Sequence, residues 1–125
     1  MAADQPPSDV LVVCLCAEWC NVCGEYRSRF DQVRESVQAR QPQARFIWLD
    51  VEDEADLLHP LDVENFPTLL LAVGSEPRFF GPVTPQAQTL ERLVQSHMND
   101  AQAKSLPNRD LVDVVGKIRA AKLTS

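Results

Sequence analysis

Residues 10–23 read VLVVCLCAEWCNVC. The first seven form a continuous, Val-rich apolar run of strand length, which predicts a strand buried on both faces. From Cys20 the period changes. Val22, Tyr26, Phe30, Val33 and Val37 recur at spacings of four, four, three and four, one face of a helix running to about Arg40. The C-x-x-C of Cys20 and Cys23 therefore falls at a strand-to-helix junction. The chain's four cysteines, at 14, 16, 20 and 23, all lie within this stretch.

That placement has chemical consequences. At a helix start, unpaired backbone N–H groups and the positive end of the dipole stabilise an anion. The thiolate is the reactive form of cysteine. A second thiol three residues on lies over the same turn, close enough to close a disulfide. C-x-x-C beside a βαβ pattern is a redox signature. A zinc site is the competing reading, since four ligands are present. Against it, Cys14 and Cys16 point to one face of a buried strand, while Cys20 and Cys23 lie beyond its end. No metal or other cofactor is expected.

The remaining chain sets the context. Its 125 residues suit one domain, with 45% apolar and 24% charged residues. A net charge of -6 and no dense Lys/Arg stretch argue against nucleic acid as a partner. The start, MAADQPPSD, has neither a basic region nor a cleavage site of a signal peptide, and Val10 to Cys16 is too short to span a bilayer. The cytoplasm is the expected compartment, where clustered cysteines favour catalysis over a permanent disulfide. Residues 1–9 are expected to be a disordered tail.

Beyond the first helix, Pro42 is a stop. Residues 45–51 predict a second strand, 52–59 a short acidic helix ended by Pro60, and 67–73 a third, buried strand. Gly74 to Pro77 has turn chemistry, and Arg78 to Phe80 suits an edge strand. Thr84 and Pro85 predict the N-cap and first position of a helix to about Asn99, with Leu90, Leu93 and Val94 inward. A last helix, 109–121, carries Leu111, Val115 and Ile118 on one face. The pattern is a layered α/β domain with a parallel start and a hairpin end.

The segment AEWCNVC, with Trp19 before the first cysteine, resembles the active site of the thioredoxin superfamily. NFPTLLL, with Phe66-Pro67-Thr68, resembles that family's cis-proline motif. The resemblance covers about residues 10 to 100. It implies a three-layer α/β/α fold around a four-stranded mixed sheet, without the family's first strand and helix. It divides the chain into a thioredoxin-like domain at 10–100 and a helical extension at 101–125, which is expected to cover the sheet face left open. It also implies a redox disulfide between Cys20, the nucleophile, and Cys23, the resolving thiol. Trp19, Phe66 and Pro67 would bind substrate. The activity implied is that of a monomeric protein disulfide reductase, acting on protein or small-molecule disulfides with a thiol reductant system and no membrane partner.

The chain also departs from the family. Asn21-Val22 replaces the usual Gly-Pro between the cysteines. Cys14 stands where thioredoxins bury an aspartate that assists the resolving thiol, and Trp48 where a lysine accompanies it. Cys16 stands where a second tryptophan is usual. Slower resolution by Cys23 is the expected result. Cys14 and Cys16 read either as small buried hydrophobes or, for Cys14, as an alternative disulfide partner of Cys23 or Cys20. A thioredoxin-fold interaction module with a vestigial or regulatory redox pair is the alternative function.

Overall fold

A computed structural model describes residues 10–99 and 106–123. The expected tail at 1–9 and the polar residues 100–105 lie outside the described residues. The chain order is β1 (Val10–Cys16), α1 (Asn21–Arg40), β2 (Arg45–Asp50), α2 (Ala55–Leu58), β3 (Thr68–Val73), β4 (Glu76–Pro82), α3 (Ala87–Asn99) and α4 (Arg109–Ile118). A π-helical turn, Arg119–Leu123, follows.

The four strands form one mixed sheet in the order β2-β1-β3-β4. β1 runs parallel to β2 and antiparallel to β3, and β3 and β4 are antiparallel. The right place for β1 is the centre, because all seven of its residues are buried. Each of its Val and Leu side chains contributes about 1.5–3 kcal/mol through burial. The β3–β4 connection is a two-residue turn between the paired Val73 and Glu76. Gly74 takes φ 61° there, a conformation that costs glycine little.

Alternation along β1 builds two cores. Val10, Val12, Cys14 and Cys16 face α1 and α3, where they meet Tyr26, Phe30, Val33, Val37, Leu90 and Val94. Leu11, Val13 and Leu15 face the other way, against Leu58 of α2 and Leu111, Val114, Val115 and Ile118 of α4. Helices thus cover both faces of the sheet, in three layers. α4 begins on a side-chain cap: Asn108 Oδ1 accepts the Leu111 N–H at 3.2 Å.

Three local expectations are corrected. Val22 is exposed at 42%, and Cys23 takes its place in the buried row of α1. The helix expected at 52–59 shrinks to Ala55–Leu58. Asp50 Oδ1 accepts the N–H groups of Glu52 and Asp53, at 2.8 and 3.1 Å, and this holds the segment in a turn. Thr84 does not cap α3. Its hydroxyl pairs with that of Thr89 at 3.0 Å, its carbonyl accepts the Gln86 N–H, and the helix starts at Ala87.

Candidate active site

The site forms where β1 ends and α1 begins. Cys20 is the N-cap of α1, in extended backbone at φ -87° and ψ 115°. Its carbonyl accepts the Gly24 N–H at 3.3 Å, which closes the first helical turn over Cys23. No side chain caps this helix and no acid lies in its first turn. The helix's leading N–H groups are therefore left for whatever approaches Cys20. Cys20 is partly exposed and carries a free thiol.

Trp19 and Phe66 bring the second motif to the same place. Their rings meet edge to face, with centroids 5.6 Å apart. Trp19 remains 65% exposed, so it forms a rim and does not plug the core. The Phe66–Pro67 peptide bond is cis. The Pro67 carbonyl accepts the Val83 N–H at 3.1 Å, and the Thr68 hydroxyl donates to the Asn65 carbonyl, fixing the loop. Cys20 and Phe66 pack against the same core cluster.

Cys23 has a different partner from the one expected. It is disulfide-bonded to Cys16, with Cα atoms 5.9 Å apart, and Cys20 stays outside the bond. The expected alternative partner, Cys14, is free and buried. Its Sγ lies 3.7 Å from that of Cys16. Since Cys16 carries no proton in the disulfide, Cys14 is the donor in this contact. Burial pushes the Cys14 thiol far above its ordinary range, against a weaker opposing pull from the Arg27 charge.

Cys14 sits opposite Trp48 in the β1–β2 register. The positions at which the resemblance places an acid–lysine pair are thus neighbours, though neither residue can relay a proton at neutral pH. The Arg27 guanidinium lies over the Trp48 ring at 4.9 Å. Both residues line an open cavity of about 610 Å³, with Cys23, Glu18 and Asp50 at its wall. Backbone N–H groups, Asp53 first, hold the Asp50 carboxyl below the usual carboxylate range. Among the described residues, no three His, Cys, Asp or Glu side chains converge as a metal site.

The structure thus brings Trp19, Cys20, Phe66 and Pro67 together and adds Cys16, which the sequence reads only as a buried thiol. The available signal was geometric. Cys16 ends a strand on the face that the following helix must cover, and Cys23 leads the buried row of that helix.

Solved structures share the fold. Human ERp44 in its zinc-bound form superposes with a TM-score of 0.65 at 18% identity, covering 76% of this chain and 28% of that one. The chain thus spans less than a third of ERp44. Oxidised mitochondrial thioredoxin 3 from Saccharomyces cerevisiae gives 0.58 at 21% identity, covering 73% and 81%. Oxidised thioredoxin from Plasmodium falciparum gives 0.59 at 15%, covering 74% and 85%. No curated protein is matched by sequence. The sequence model of the family described as Thioredoxin matches residues 3–99, most of the chain up to the end of α3, and the chain belongs to that family.

Proposed function

We propose that the protein is a thiol–disulfide oxidoreductase that reduces disulfides with Cys20 and Cys23. The observation that carries this reading is the free, partly exposed Cys20 thiol at the uncapped start of α1, beside the Trp19–Phe66 pair. Cys20 thiolate attacks one sulfur of a substrate disulfide, and the other leaves as a thiolate. Cys23, freed beforehand when a thiol reductant reduces its bond to Cys16, attacks the Cys20 sulfur of the mixed disulfide. The second substrate thiol departs, and Cys20 and Cys23 are left oxidised by two electrons. A thiol reductant then restores the pair. Phe66 and Pro67 would hold an extended substrate peptide alongside.

A monomer acting in a reducing compartment such as the cytoplasm fits this role, because its thiols would be held ready. Residues 10–100 would form the catalytic domain and 101–125 its covering extension. Insulin reduction under excess dithiothreitol tests the proposal. Wild type should turn over, and Cys20→Ser should lose turnover at least 100-fold, on the order expected for a lost nucleophile. Equal turnover in the two would sink it.

One observation favours a second reading, a binding module with a regulatory redox pair: Cys23 is engaged by Cys16 and not by Cys20. Under that reading, insulin is not reduced even after full reduction of the protein.

A further inference from the structure

We infer that Cys16 is a third redox residue, which takes Cys23 from Cys20 by internal exchange and returns Cys20 to the surface as a free thiol. The inference rests on the reductase reading above and adds a stored oxidised form to it.

The geometry makes Cys23 a shared partner. The Cys16 and Cys23 Cα atoms are 5.9 Å apart. Cys20 and Cys23 are three residues apart on a turn closed by the Gly24 N–H to Cys20 carbonyl bond. The Cys16–Cys23 separation lies within the Cα range of about 4.4–6.8 Å that disulfides span, and a C-x-x-C pair over the first turn of a helix is a spacing at which redox disulfides form. One sulfur on α1 can therefore serve either neighbour by side-chain rotation.

The exchange balances without an outside oxidant. The Cys16 sulfur bonds to the Cys23 sulfur, and the Cys20–Cys23 bond breaks. The electron pair leaves on the Cys20 sulfur, and the proton lost by Cys16 ends there. The oxidising equivalents came from the substrate disulfide in the preceding turnover. Burial sets the direction. Cys16 and Cys23 are 1% and 2% exposed, so negative charge left on either sulfur would be desolvated, while charge leaving on the partly exposed Cys20 sulfur is hydrated. Cys14, 3.7 Å from the Cys16 sulfur, supports the product with its S–H and does not compete as a thiolate.

In this stored form Cys20 meets the next disulfide without a resolving thiol, so it holds that substrate as a mixed disulfide. Accumulated oxidation thereby converts a turnover site into a capture site.

Peptide mapping tests the handover. Reduced protein is oxidised with hydroxyethyl disulfide, quenched with N-ethylmaleimide and cut after glutamate. Glu18 separates Cys16 from Cys20, and Glu25 follows Cys23, so a Cys20–Cys23 bond stays inside the fragment 19–25. A Cys16–Cys23 bond instead joins that fragment to the one ending at Glu18. The expected result is the joined pair, with one maleimide on Cys20. The joined pair should persist in Cys14→Ala and vanish in Cys16→Ala. In Cys20→Ser it should form at least tenfold more slowly. A wild-type disulfide that stays inside 19–25 after equilibration overturns the inference while leaving insulin reduction intact, and the wild-type map needs no variant to fold. A join that survives Cys16→Ala, or forms at full rate in Cys20→Ser, also overturns it. If the join forms but fully reduced wild type never reduces insulin, the reductase reading fails, and the substrate-driven handover fails with it.

Discussion

Cys14 on β1 stands opposite Trp48 on β2, and the Arg27 guanidinium lies over that indole at 4.9 Å. A thiol and an aromatic ring thus fill a place where a buried acid and a base would otherwise pair. The region behind Cys20 and Cys23 is packed for volume and not for proton transfer.

Burial raises the Cys14 thiol above its ordinary value of 9.0, so the folded protein holds that proton where the unfolded chain releases it. The stability from this difference is complete below about pH 9 and is lost as pH climbs from there toward the folded value. Tyr26 adds the same trend above its ordinary value of 10.0, through burial and then the nearby Cys14 charge. Urea midpoints should fall between pH 8 and pH 10.5, and Cys14→Ala should flatten the slope. A wild-type midpoint constant across that range would contradict the argument.

The Tyr26 hydroxyl is buried with no hydrogen-bond partner. Tyr26→Phe should therefore leave stability unchanged or raise it by up to ~1 kcal/mol, since an unpaired buried hydroxyl carries a desolvation cost. Chemical denaturation is the check. A loss of about 1 kcal/mol or more would mean that the hydroxyl finds a partner.

Trp19 is 65% exposed and touches Phe66 edge to face. Trp19→Ala should raise KM for a protein disulfide several-fold and leave kcat nearly unchanged. Its fold cost should stay within ~0.5–1.5 kcal/mol, the worth of one aromatic pair. Steady-state kinetics with insulin, beside a thermal melt, would separate the two effects.

α4 lies beyond the matched residues 3–99, yet Ile118 is 0% exposed. Ile118→Ala should cost ~2–5 kcal/mol, and Asn108→Ala ~0.5–2 kcal/mol through the lost cap. Removing residues 106–125 should lower the melting temperature sharply. An unchanged melt would assign the helix to a role other than covering the sheet.

Much of this arrangement was legible in the residues themselves. VLVVCLC has the length and Val content of a strand buried on both faces, and it lies at the centre of the sheet. Trp19 and Phe66, over forty residues apart, are brought into contact as the paired motifs implied. What escaped was local competition. Asp50 binds the Glu52 and Asp53 N–H groups in a local turn ahead of α2, and no periodicity encodes that choice. Val22 reads as inward because it is apolar, though Cys23 fits the same row and is buried. The Cys16–Cys23 bond was hidden for a related reason, because a buried strand cysteine reads as a small hydrophobe until the helix above it is placed.

β1 also acts as a partition wall. Its even-numbered residues belong to the core behind the cysteines, and Leu11, Val13 and Leu15 to the core under α4. Substitutions on the two sides share backbone but few side-chain neighbours, so their free energies should sum almost independently. The chamber that holds the cysteines can therefore be remodelled in volume or chemistry while the opposite chamber is reinforced to compensate.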